Sequence, residues 1–241
     1  MLLESGATYR CVLSEQPWDH VELDSKPYPV KMELLLPPAL PTKIVAVGLN
    51  YLEHVVEMGH EKTKEPVLFL KPPSALLNPG GKILYPPSSE RVDYEAELAV
   101  VLKTRLRNAT PEEALKAVGG FTCCNDVTAR DLQKVDGQWI RAKGFDTFCP
   151  LGPWLVTDFL EKDQKIMTRV NGEIKQNSRI SSRVWNTAQL LSFASKVMTL
   201  EPMDVLITGT PPGIGPMNPG DHVEVEVEGI GILKNEVVRP A

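Results

Sequence analysis

The chain has 241 residues, of which 42% are hydrophobic and 24% charged, proportions of an ordinary globular protein that exclude the disordered and fibrous classes. A formal net charge of −5, with lysine and arginine dispersed, excludes the basic footprint that nucleic acid or an anionic membrane surface requires. No apolar stretch approaches the roughly 18 residues of a spanning helix, and residues 1–6 lack the regions of a signal peptide, so a cytoplasmic protein is expected.

With 17 glycines and 21 prolines, the chain favours turns and short strands over a helical bundle. A proline-rich seam at 36–42 divides a small N-terminal appendage, residues 1–40 with short strands expected at 9–13 and 30–34, from a main domain of residues 41–241. Residues 43–48 read as a buried strand. A short helix is expected over 50–58, stopped by Gly59, with Leu52, Val55 and Val56 on its apolar face and His54 and Glu57 on the other. Strands follow at 67–70, 82–84 and 94–102. Residues 110–113 spell a capping box with Pro111 at the first helical position, and Gly119 and Gly120 are expected to close that helix. The apolar run 121–124 ends at Asp126, and residues 128–133 can continue as a short helix. A longer helix over 186–200 would bury Leu190, Leu191, Ala194, Val197 and Met198. The chain closes with strands at 223–227 and 232–237, turning at 229–231. The class is mostly β with a few helices, α+β.

Cys11, Cys123, Cys124 and Cys149 include no CxxC pair, and neighbouring Cys123 and Cys124 cannot bridge each other without strain. Reduced thiols are expected, with Cys123 and Cys124 as small buried hydrophobes.

Several groups can carry chemistry. Within 93–98, strand alternation places Glu95 and Glu97 on one face, where two carboxylates suit a hard divalent ion. A solvent-facing sheet would present the same pattern, as Glu224 and Glu226 do in the tail. Asp126, at a strand end, is either a third ligand or a turn and cap residue. His54 and Glu57, one helical turn apart, offer a base and an orienting carboxylate, or an exposed ion pair. His60 is not expected to complete a zinc site, because Gly59 ends the helix. Lys143, among aromatic and apolar neighbours, can supply positive charge to an acidic site, or sit on the surface. The glycine-rich stretch 208–215 lacks the lysine of a phosphate cradle, although amides near Thr210 could hold a carboxylate. The polar run 58–65, with few apolar anchors, reads as part of a mobile lid carrying His54 and Glu57.

Together, the stretches 47–51 with His54 and Glu57, 69–72, 93–100, 125–131, 141–146 and 208–216 resemble the fumarylacetoacetate hydrolase family, from about Lys43 to Val237. The resemblance implies a β-roll catalytic domain, one Mg²⁺ or Mn²⁺ per chain, and a homodimer. It implies Glu95, Glu97 and Asp126 as metal ligands, and Lys143 with the His54 and Glu57 dyad as catalytic groups. Gln133 and Thr210 would contact the substrate. The implied activity is hydrolysis of a C–C bond in small 2,4-dioxo acids of the acylpyruvase or fumarylpyruvase type, ahead of oxaloacetate decarboxylation. The alternative is an isomerase or tautomerase of the 2-hydroxyhepta-2,4-diene-1,7-dioate or oxaloacetate type. The partner in every case is a small anionic acid, with no nucleic acid and no membrane.

Overall fold

A computed structural model describes residues 20–23, 26–29, 35–59 and 61–240. An antiparallel pair, β1 (His20–Leu23) and β2 (Lys26–Pro29), comes first. The strands expected at 9–13 and 30–34 lie outside the described residues, as do Cys11 and His60. The pair is followed by β3 (Ile44–Gly48), α1 (Leu52–Glu57), β4 (Val67–Lys71), β5 (Leu76–Leu77) and β6 (Lys82–Leu84). Next come β7 (Val92–Tyr94), β8 (Ala96–Leu102), α2 (Pro111–Lys116), β9 (Val118–Asn125) and β10 (Thr128–Ala129). After α3 (Arg130–Asp136) and α4 (Ile140–Lys143) follow β11 (Cys149–Val156), β12 (Lys165–Val170) and β13 (Glu173–Arg179). The remainder is α5 (Thr187–Val197), β14 (Val205–Ile207), β15 (Gly215–Met217), β16 (His222–Val227) and β17 (Gly231–Val238).

Besides the β1–β2 pair, the described strands form three sheets, in the orders β4-β3-β14-β8-β9-β11-β5, β13-β12-β16-β17-β6 and β10-β7-β15. β8 is buried along its whole length, so its alternation feeds two cores. Leu98, Val100 and Leu102 join Ile166, Val225 and Leu233 of the second sheet, with Leu190, Leu191 and Ala194 of α5 in the same core. Ala99 and Val101 face a second core with Ile44, Val205, Ile207 and Cys149. The expected alternation of the tail strands holds. Glu224 and Glu226 are surface residues paired with Lys234 and Arg169.

Local signals explain where α2 and α5 begin. Thr110 caps α2 with reciprocal bonds to Glu113, and Asn186 caps α5 in the same way through Gln189. Four expectations are corrected. The segment 94–102 is not one strand, because the chain changes sheets at Glu95. Gly119 and Gly120 do not end α2 but lie in β9, where a Cβ on Gly120 would come within 2.7 Å of Leu155. In α1 the buried residues are His54 and Val55, while Leu52 is 48% and Val56 77% exposed. A helix this short cannot bury an apolar face when polar contacts below it decide which side docks. In α5, Val197 is exposed as well, beyond the packed turns.

Candidate active site

The acidic site lies where two paired strands leave the large sheet together. β8 and β9 pair there, ending at Ala96 opposite Asn125, and the same two segments pair again as β7 and β10 in the small sheet. At the switch, Glu95 donates its N–H to Asn125 Oδ1 and accepts the Asp126 N–H with its carbonyl, both at 2.9 Å. The backbone polarity freed by the break is thereby satisfied. The switch turns the Glu95 and Asp126 carboxylates toward Glu97, the first inward acid of β8. Oxygens of all three lie within 4.8 Å of one another, and all three residues are buried.

Cations surround this trio. Lys143, 2% exposed at the end of α4, lies 2.8 Å from Glu95 Oε2 and 2.6 Å from Asp126 Oδ2. Lys71, 1% exposed at the end of β4, reaches Asp126 Oδ1 at 2.5 Å. Arg130 donates to Glu95 Oε1 and, at 2.5 Å, to Gln133 Oε1, while its Nε is held 2.9 Å from Asp93. Asp93 in turn takes Arg91 at 2.8 Å. Four carboxylates thus face four cations.

The two glutamates respond in opposite directions. Burial works against the Glu95 anion, but Lys143 and Arg130 outweigh it and hold that carboxyl well below the usual range. Burial, reinforced by Asp126 and Glu95, pushes Glu97 well above the ordinary value. Among the described residues no cation is paired with Glu97; the Gly209 N–H donates to it at 2.6 Å. Lys143 keeps its proton more firmly than a free lysine, since Asp126 and Glu95 overcome the cost of its burial. An all-oxygen donor set with one under-compensated anion fits a hard divalent ion.

His54 and Glu57 meet beside this trio. His54 is 5% exposed, with Nδ1 2.8 Å from Glu57 Oε2, and Glu57 Oε1 accepts the Gly213 N–H at 2.9 Å. His54, the three acids, Arg130, Gln133, Lys143 and Thr210 all line one cleft, whose apolar wall is Val47, Leu49, Met58, Phe69 and Trp139. Phe69 meets Trp139 edge-on at a 5.2 Å centroid distance, and Lys143 Nζ stands 5.2 Å from the Phe69 centroid. Every residue singled out from the sequence as catalytic, ligating or substrate-contacting is therefore in the cleft or bonded directly to its wall. The amides of the 208–215 loop do hold carboxylates, and these are the protein's own Glu97 and Glu57.

Lys71, Asp93 and Arg130 were not singled out from the sequence. Lys71 and Arg130 lie inside the stretches 69–72 and 125–131, but a lone cation in a short segment gives no sign of the partner that lets it be buried. Their partners are 55 and 35 residues away.

The chain matches the profile of the family described as fumarylacetoacetate (FAA) hydrolase, C-terminal, over residues 43–238. It belongs to the fumarylacetoacetate hydrolase family. Its structure is similar to that of a 5-carboxymethyl-2-hydroxymuconate delta-isomerase from Mycobacterium smegmatis, with a TM-score of 0.86 and 42% identity, covering 96% of this chain and 94% of that one. It is also similar to a 2-hydroxyhepta-2,4-diene-1,7-dioate isomerase from Mycobacterium marinum, with a TM-score of 0.83 and 40% identity over 96% and 88% of the two chains. In sequence it is 42% identical over 220 residues to oxaloacetate tautomerase FAHD2A, mitochondrial, of Bos taurus, covering 86% of this chain and 70% of that protein. The names of these family members agree with the isomerase or tautomerase alternative better than with C–C bond hydrolysis. None of the described helices is long and apolar enough to cross a membrane.

Proposed function

We propose that this chain is a divalent-metal-dependent tautomerase or isomerase of small 2-oxo and enol dicarboxylic acids, oxaloacetate being the first substrate to try. The observation that carries this reading is the buried His54, oriented through Nδ1 by Glu57 at 2.8 Å, in the cleft that the three acids line. With Nδ1 so engaged, Nε2 is the nitrogen left to exchange a proton, which is all that tautomerisation requires. Relatives of at least 40% identity named as isomerases or tautomerases support the same choice.

Glu95, Glu97 and Asp126 would hold Mg²⁺ or Mn²⁺, which when bound supplies Lewis-acid stabilisation to the negative charge of the enolate. The chain's own residues do the rest. Lys143, Arg130, Gln133 and Thr210 bind and orient the carboxylates, and the Phe69 and Trp139 wall excludes water. His54 passes the proton to or from carbon 3 while Glu57 keeps its tautomer.

Hydrolysis of an acylpyruvate is the second reading, since the same His54 and Glu57 pair can activate a water. An ultraviolet assay of enol-oxaloacetate, acetylpyruvate and fumarylpyruvate, with Mg²⁺, with Mn²⁺ and with chelator, separates them. Metal-dependent decay of the enol with no cleavage supports tautomerisation, and cleavage of either acylpyruvate supports hydrolysis. A homodimer belongs to the same reading, and light scattering should return about twice the 26.7 kDa of one chain.

A further inference from the structure

Gln176, on β13, is 1% exposed and uses all four of its hydrogen-bonding positions. Its Oε1 accepts the Ala96 N–H at 2.9 Å and the Thr168 hydroxyl at 2.7 Å. Its Nε2 donates to the Pro211 carbonyl and to Thr210 Oγ1, both at 2.8 Å. The orientation of the amide is forced, because a peptide N–H can only donate and a carbonyl can only accept. Thr210 Oγ1 must therefore accept from Gln176, and its own O–H is left to donate. Among the described residues no other hydrogen bond engages that hydroxyl, and Thr210 lines the cleft beside Lys143 and Arg130.

We propose that Gln176 is a positioning residue that sets the polarity of the Thr210 hydroxyl, so that it donates into the cleft to an anionic oxygen of the bound acid. The inference rests on the reading that the cleft takes small anionic acids. The same amide ties Ala96, between the two glutamates, to the Thr210–Pro211 loop. It thus also sets the distance between the acid trio and the donor.

Gln176→Glu isolates the effect. A glutamate, ionised or protonated, can still accept from Ala96 and Thr168. Ionised, it has no hydrogen to give; protonated, its one hydrogen goes to the Pro211 carbonyl. In either form Thr210 must now donate to residue 176, and its hydrogen is withdrawn from the cleft. The probe is oxalate, whose adjacent carboxylates imitate a 1-carboxylate and 2-oxo unit, titrated calorimetrically in the presence of Mg²⁺. Expected is a loss of affinity of about 10–100-fold in Gln176→Glu and in Thr210→Val, the usual size for a lost hydrogen bond to a charged group. The double variant should bind no worse than the weaker single one, and Thr210→Ser should bind nearly as the wild type does. If Gln176→Glu does not fold, Thr210→Val is read against Thr210→Ser, and wild-type oxalate affinity in Thr210→Val overturns the proposal. Wild-type affinity in the Gln176 variant, losses that multiply in the double variant, or no oxalate binding by the wild type would each overturn the proposal. Failure of the wild type to turn over enol-oxaloacetate while the cycle behaves as expected would reject the proposed reaction and leave this inference standing.

Discussion

Glu57 and Gly213, 156 residues apart in sequence, are joined by a 2.9 Å hydrogen bond from the Gly213 amide to Glu57 Oε1. The bond fastens α1, a single short helix with no side-chain cap at its start, to the loop between β14 and β15. The other Glu57 oxygen holds His54, so one carboxylate both seats the helix and orients the ring.

The first prediction follows from that double role. His54→Ala should lower kcat for the enol substrate by roughly 10²–10⁴-fold, the ordinary worth of acid–base catalysis. Glu57→Gln, which can still accept from Gly213 but holds His54 in a different tautomer, should lower kcat by less. Metal affinity measured by calorimetry should stay nearly unchanged in both. Full turnover in His54→Ala would reduce the pair to a structural contact.

The second concerns buried charge. Lys71→Met leaves Asp126 with one cation fewer in a dry setting and should cost about 3–5 kcal/mol in chemical denaturation. Arg141→Ala, which breaks the exposed pair with Asp136, should cost under about 1 kcal/mol. Added Mg²⁺ should return part of the Lys71→Met loss. Equal costs for the two variants would contradict the picture of a desolvated site.

The third is a dependence on pH in chelator. Glu97 binds its proton more tightly folded than unfolded, because of its burial and the Asp126 and Glu95 charges. Such a group stabilises the fold below its unfolded pKa of about 4.3, and that contribution is lost as pH rises through the folded value. Glu95 has the opposite sign, stabilising above the ordinary carboxyl range and failing only in acid. Glu97→Gln should therefore gain stability over the wild type as pH rises above about 5. A difference between the two denaturation curves that does not change with pH would refute this.

The fourth tests the apolar wall. A Cβ on Gly48 would stand 2.6 Å from Trp139 Cζ3. Gly48→Ala should cost about 1–3 kcal/mol as an overpacked contact and should raise KM by shifting Trp139. Trp139→Ala in the same chain should relieve the clash, making the two changes non-additive in denaturation. Simple additivity would show that the ring moves freely.

By itself the sequence determined what is local. The Thr110 capping box, the alternation of β16 and β17, the burial of Leu190, Leu191 and Ala194 on α5, and the pairing of acids at 95 and 97 all follow from neighbours within one or two turns of chain. The stretches of family resemblance placed His54, Lys143 and Thr210 in one site for the same reason, each motif being short and contiguous. Only the tertiary structure decided how these pieces close. Alternation puts Glu95 and Glu97 on one face of a strand, but the break at Glu95, completed by the Asn125 side chain, exists because β7 pairs with β10 and β15 in another sheet. Helical periodicity offered Leu52 and Val56 as the buried face of α1, and the docking of His54 and Glu57 over the acids turned that face outward. Lys71, Arg130 and Lys143 are tolerated in the interior because carboxylates 17 to 55 residues away neutralise them. A periodic pattern records which side chains share a face, whereas the burial of a charge depends on a partner that only the folded chain brings within about 3 Å.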